Sequence, residues 1–132
     1  MFRLADHLLA PCCAILLPLA AHTSSPLSIY LRNYYTEYEV ILDCSDQDHL
    51  TAADAATAKD AMAKIEAYYL QRDSSINKDK VLKEAVTNKN QAFKMMKETT
   101  KVDARQFCRA SLNDLVSKLN EIADATAKKS GS

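Results

Sequence analysis

The sequence predicts an all-α protein, a small helical bundle of three to four helices that follows an N-terminal signal segment. Apolar residues recur every three or four positions over most of the chain, which is the spacing of one helix face. The 132 residues include a single glycine, Gly131, so a hairpin-rich β protein would lack the usual residue of its tight turns. A composition of 48% hydrophobic and 26% charged residues indicates one globular domain and not a disordered chain.

Residues 1–21 have the layout of a signal peptide. A short head containing Arg3 precedes an apolar run that ends in the small residue Ala21, which suits cleavage by signal peptidase. We therefore expect a periplasmic or secreted protein with a single helical domain over residues 22–125. If the segment stays uncleaved, the stretch 8–31 contains no Asp, Glu, Lys or Arg and is long enough to anchor the protein in a membrane.

The first two helices of this domain are predicted from their starting residues. Ser25 and Pro26 are a typical N-cap and first helical residue, and they predict a helix over 27–43. Alternate residues of that stretch also favour β structure, so a strand is the alternative there. Thr51 and Asp54 have the spacing of a capping box and predict a second helix directly after them.

Two further helices are predicted in the second half of the chain. The third is expected from about residue 77 to 96, although Lys89 interrupts its apolar face and indicates either a kink or a lysine stem lying over apolar surface. The fourth has the clearest periodicity, with spacings of four, three, four and three: Cys108, Leu112, Leu115, Leu119 and Ile122. The polar tail, residues 126–132, is expected to be disordered.

Cys44 and Cys108 are the cysteines that remain once the signal segment is removed. An even pair in an exported chain predicts a disulfide, because the compartment is oxidising. Two separate buried thiols are the alternative. A bond would join the polar segment before the second helix to the apolar face of the fourth, and would thereby tie together two distant parts of the chain.

The sequence lacks the signatures of enzymes and of cofactor sites. A phosphate-binding loop, a dinucleotide-binding turn and a nucleophile elbow each need glycines that the chain does not have. His49 lies near Cys44 in sequence, but no third group orients them as a nucleophilic pair, and adding Cys108 does not give the paired short spacings of a zinc site. An acidic segment without the turn glycine of a calcium loop is interpreted as solvated: Asp43, Asp46 and Asp48. We predict no catalytic, cofactor-binding or metal-binding residues and no enzymatic activity.

Charge and tyrosine content indicate the class of partner. Basic and acidic residues number 17 each, which argues against a nucleic acid. Six tyrosines fall in two clusters, which predict packing in the core and at its rim or, because one end of tyrosine is apolar and the other polar, a surface that contacts proteins: Tyr30, Tyr34, Tyr35, Tyr38, Tyr68 and Tyr69. We expect a non-enzymatic interaction protein, such as a chaperone, inhibitor or accessory factor, that binds a protein partner or itself. The alternative is a helical carrier of a small apolar ligand, suggested by Met62, Phe93, Met95 and Met96.

Overall fold

The computed structural model describes residues 25–99 and 101–131, and within those ranges the chain forms four α-helices and no strand. The helices are α1 (Pro26–Asp46), α2 (Ala52–Arg72), α3 (Lys78–Thr99) and α4 (Ala104–Ser130). The predicted all-α bundle is confirmed, and the alternative of a strand over 27–43 is wrong. The predicted signal segment, residues 1–21, lies outside the described residues.

Each helix begins at a side chain that caps its first turn. Ser25 Oγ accepts a hydrogen bond from an amide of α1 at 3.2 Å. Thr51 and Asp54 form the predicted capping box, with reciprocal side chain to amide distances of 3.1 and 3.0 Å. Asn77 and Asp103 accept amide hydrogen bonds at the starts of α3 and α4, at 3.0 and 3.2 Å. Because the caps satisfy amides that have no partner inside a helix, they fix where each helix starts.

α1 is the central helix, and each of the other three packs against it. From residue 31 to 45, every side chain except Asn33 is buried or half-buried. A helix that is covered on several sides needs apolar and aromatic residues on more than one face, so its sequence does not show one clean stripe. This explains why residues 27–43 matched a strand pattern as well as a helical one.

α1, α2 and α4 form a three-helix unit with a shared core, because α2 and α4 also pack on each other. Cys44, near the end of α1, is bonded to Cys108, near the start of α4, and their Cα atoms are 5.9 Å apart. Earlier in α1, the ring of Tyr34 faces Lys118, which lies further along α4. These two contacts show that α1 and α4 run antiparallel.

α3 packs on α1 but has no comparable contact with α2 or α4. Among its described side chains, Val81 and Ala85 are buried, and both lie in its first half. Val86, the apolar residue that follows Ala85, is 39% exposed. α3 meets α4 through Phe93 and Phe107, whose ring centroids are 5.4 Å apart. The second half of α3 is therefore only partly covered.

Lys89 does not kink α3, which is one continuous helix. Its side chain is 13% exposed, and its Nζ lies 3.0 Å from Asp43 Oδ2 of α1. A carboxylate of the central helix thus neutralises the lysine that interrupts the apolar face. The sequence expectation of a lysine stem over apolar surface is close to this, but the charged head binds an acid instead of extending into solvent.

α4 continues to Ser130, whereas the sequence predicted that the ordered domain ends at residue 125 and that 126–132 are disordered. Alanine and lysine in this stretch are good helix formers, and Lys128 and Lys129 lie in the last turn, where cations offset the helix dipole. The side chains from 123 to 131 are exposed, so this end of α4 is helical without a core contact.

Candidate functional site

The two cysteines singled out in the sequence are bonded to each other inside the core. Cys44 and Cys108 are both fully buried. Neither sulfur is available as a nucleophile or as a zinc ligand, because both functions need a thiolate. His49 is half-buried, and its backbone amide donates to the Cys44 carbonyl oxygen at 2.9 Å, which helps to end α1.

The three aspartates of the acidic segment do not converge on one point. Asp43 pairs with Lys89, whereas Asp46 and Asp48 are exposed. Asp48 takes the left-handed backbone conformation with φ of 58°, which aspartate tolerates better than most residues. Within the described residues, no group of three or more His, Cys, Asp or Glu side chains is arranged to hold a metal ion.

Tyrosines from both clusters of the sequence meet where α1 packs against α2. The rings of Tyr34 and Tyr69 stack with centroids 6.1 Å apart, and Tyr68 meets Tyr69 edge to face at 5.3 Å. The hydroxyl of Tyr35 donates to the carboxylate of Glu66, which also binds a lysine at the start of α3. Burial raises the pKa of Tyr69, so its ring stays neutral.

Two cations lie against this tyrosine cluster. The guanidinium carbon of Arg72 is 3.4 Å from the centre of the Tyr68 ring, and its Nη1 donates to the Tyr68 carbonyl oxygen at 3.2 Å. Lys118 Nζ lies 5.6 Å from the centre of the Tyr34 ring. The faces of aromatic rings attract cations, so both contacts are favourable. Sequence reasoning missed these cations, although the four-residue spacing of Tyr68 and Arg72 indicates that the two share one face of α2.

Beside the cluster, an open groove runs between the C-terminal halves of α2 and α4, and we call it the α2–α4 groove. Five residues of α2 and three of α4 line it: Lys64, Ala67, Tyr68, Gln71 and Arg72, and Ile122, Thr126 and Lys129. Ile122 is 8% exposed and forms an apolar floor. Among the described residues, neither Arg72 nor Lys129 has a carboxylate within 4.0 Å, whereas Lys64 pairs with Asp60 at 3.4 Å.

The α2 side of the groove belongs to a helix that is packed against its neighbours. α2 buries side chains along its whole length: Ala58, Ala61, Met62, Ile65 and Tyr69. At its end, Asp73 accepts hydrogen bonds from the amide and hydroxyl of Ser75 at 3.0 and 2.5 Å. The nearby hydroxyl of Ser25, the cap of α1, and these bonds lower the pKa of Asp73. At its start, Asp54 pairs with Arg109 of α4 at 3.1 Å. Both ends of α2 are thus tied to neighbouring helices.

Glu37 is a half-buried carboxyl between α1 and α4, close to the disulfide. Burial raises the pKa of Glu37, a hydrogen bond with Ser111 lowers it, and the negative charge of Asp114 raises it further; the net shift is upward. Ser111 is 5% exposed and lies one turn after Cys108. The sequence offered no signal for this contact, because Glu37 reads as an ordinary polar residue of an amphipathic helix.

No family model matches the chain, and neither the comparison with curated proteins nor that with solved structures finds a similar protein. Within the described ranges, none of the helices combines the length and the apolar character needed to cross a membrane.

Proposed function

We propose that this protein is an exported, non-enzymatic interaction protein that binds a protein partner through the α2–α4 groove. The observation that carries the proposal is Arg72 stacked on the face of Tyr68 at the edge of an open groove. Tyrosine and arginine are enriched in protein interfaces and among the residues that contribute most to binding. Because the pair is already ordered on α2, little side-chain entropy is lost when a partner binds.

Export is supported by the bond between Cys44 and Cys108, since disulfides persist in oxidising compartments. The periplasm and the extracellular space both meet this condition. Chaperone, inhibitor and accessory factor are three versions of this one binding function, in which the partner is protected, inhibited or assisted.

The carrier alternative receives no comparable support. Met62 is 3% exposed and belongs to the core cluster, so it packs against other core side chains. Phe93 packs against Phe107. Both residues have ordinary packing roles, and the carrier stays a sequence-based prediction.

Photo-cross-linking in living cells of the native host tests the proposed function. Gln71 lines the groove, and Gln91 is an exposed glutamine on α3 that serves as the matched control. Each is replaced in turn by the photoreactive residue p-benzoylphenylalanine, and the cross-linked products are identified by mass spectrometry. We expect a discrete protein adduct from position 71 that is absent from position 91. The same products at both positions, or no protein adduct at 71, would contradict the proposal.

A further inference from the structure

We infer, resting on the proposed function, that the α2–α4 groove recognises an acidic segment of the partner. The segment presents two carboxylates on either side of an apolar side chain. One carboxylate binds between Arg72 and Lys129, and the apolar side chain rests on Tyr68 and Ile122. The other carboxylate binds Lys64 in place of its exposed, weak pair with Asp60.

The positions of the cations follow from the direction of the helices. α2 and α4 both run antiparallel to α1, so their C-terminal ends lie side by side. Arg72 and Lys129 therefore share one end of the groove, and Lys64 lies two helical turns away along α2. At 1.5 Å per residue this separation is about 12 Å, which an extended peptide spans with about four residues.

The charge at the shared end is not balanced within the described part of the chain. Arg72 and Lys129 are exposed and have no carboxylate within 4.0 Å there. One nitrogen of the Arg72 guanidinium is bound to the Tyr68 carbonyl oxygen, and stacking fixes the plane of the group. A guanidinium held in this way binds a carboxylate through directed, charge-assisted hydrogen bonds.

The apolar centre of the groove favours a polypeptide over other anions. A nucleic acid or an anionic membrane is recognised by a broad positive face, whereas this chain carries 17 basic and 17 acidic residues. Ile122 and the ring of Tyr68 offer an apolar contact between the cations. A short peptide can fill all three positions at once with side chains of matching chemistry.

The test combines the Gln71 photo-cross-linker with removal of charge from the groove. The variant Arg72→Gln/Lys129→Gln loses the two cations of the shared end, and Lys97→Gln/Lys101→Gln loses two exposed cations elsewhere and serves as the matched control. All four lysines and arginines are exposed, so we expect both variants to fold, which circular dichroism and melting verify. We expect the adduct yield to fall about tenfold in the groove variant only. We also expect it to fall when NaCl is raised from about 50 to about 300 mM in isolated compartments.

Each outcome separates the inference from the proposed function. An adduct yield that is unchanged in the groove variant, or that falls equally in both variants, refutes recognition of an acidic segment. The proposed interaction function would still hold. A cross-linked partner peptide without carboxylates refutes recognition of an acidic segment as well. Absence of any protein adduct at position 71 refutes the proposed function together with the inference, and a lipid adduct in its place would identify an anionic membrane as the ligand.

Discussion

α2 and α3 have nearly the same length, 21 and 22 residues, but the bundle holds them very differently. α2 packs against both α1 and α4 and buries side chains from Ala58 to Tyr69. α3 packs on α1, and its buried side chains are Val81 and Ala85. Because each packed face adds buried contacts, we expect the number of packed faces, and not helix length, to set local stability. The α2 side of the α2–α4 groove, with Tyr68 and Arg72, belongs to the helix with two packed faces, so we expect these two side chains to be held in position before a partner arrives.

The largest difference between the two helices should appear when a core side chain is shortened. Ile65 of α2 is fully buried, whereas Leu82 of α3 is half-buried. We expect Ile65→Ala to lower the free energy of unfolding by about 4 kcal/mol and Leu82→Ala by about 1 kcal/mol, because the first leaves a cavity in a closed core. Urea unfolding of the oxidised protein measures both. Equal losses would show that α3 is as firmly packed as α2.

Loss of the disulfide should be the next largest effect. The bond joins residues 64 positions apart and lies between α1 and α4. We expect Cys44→Ala/Cys108→Ala to lower the free energy of unfolding by about 2 to 4 kcal/mol, since the unfolded chain is no longer constrained. Mass spectrometry of non-reduced, alkylated wild-type protein confirms that the bond exists. An unchanged urea midpoint would refute its stabilising role, while two alkylated thiols in fresh exported protein would refute the bond itself.

The ion pair that holds α3 to α1 should contribute less to the free energy of unfolding than the Ile65 side chain or the disulfide. Lys89 Nζ lies 3.0 Å from Asp43, and its side chain is 13% exposed; Lys94 pairs with Glu98 at 3.9 Å, and its side chain is 73% exposed. We expect Lys89→Gln to cost about 1 kcal/mol and Lys94→Gln to cost less than about 0.5 kcal/mol, because water screens the exposed pair. Chemical unfolding compares them. A Lys89→Gln protein as stable as the control would mean that the pair does not anchor α3.

The smallest effect on stability should come from the titration of Glu37, which lies between α1 and α4. Burial is the main cause that raises the pKa of Glu37. At low pH the carboxyl is protonated in the folded and the unfolded protein, and its contribution to stability is fully present. This contribution is lost as the pH rises through the pKa of the folded state. We expect Glu37→Gln to melt slightly above wild type at pH 7 and equally with it near pH 4. Paired melting curves at the two pH values measure the difference. A Glu37→Gln variant that melts below wild type at pH 7 would show that the charged carboxylate stabilises the fold, which contradicts the prediction.

Local signals in the sequence were sufficient to predict the helices and the disulfide. Ser25 and the Thr51–Asp54 capping box act within one turn, so their spacing alone indicates where α1 and α2 begin. The four-three spacing around Cys108 indicates an inward-facing cysteine in the same way. These features depend on residues that are close in sequence.

The groove could not be predicted, because it depends on how the helices are arranged. Arg72 and Lys129 are distant in sequence and become neighbours only because α2 and α4 both run antiparallel to the central α1. The pairing of Lys89 with Asp43 and the exposure of Val86 likewise depend on which face of α3 meets α1. Helical periodicity gives each helix an apolar face but does not say which helix covers it.

Hydrogen exchange of the oxidised protein, followed by mass spectrometry of peptides from α2 and α3, tests the central claim most directly. That claim is that the α2 side of the groove belongs to a helix held on two faces, whereas α3 is held on one. We predict that amides over residues 55–70 exchange only through global unfolding, whereas amides over 86–98 exchange faster through local opening of α3. Equal protection of the two segments, or faster exchange in 55–70, would contradict the claim that the α2 side of the groove is preorganised.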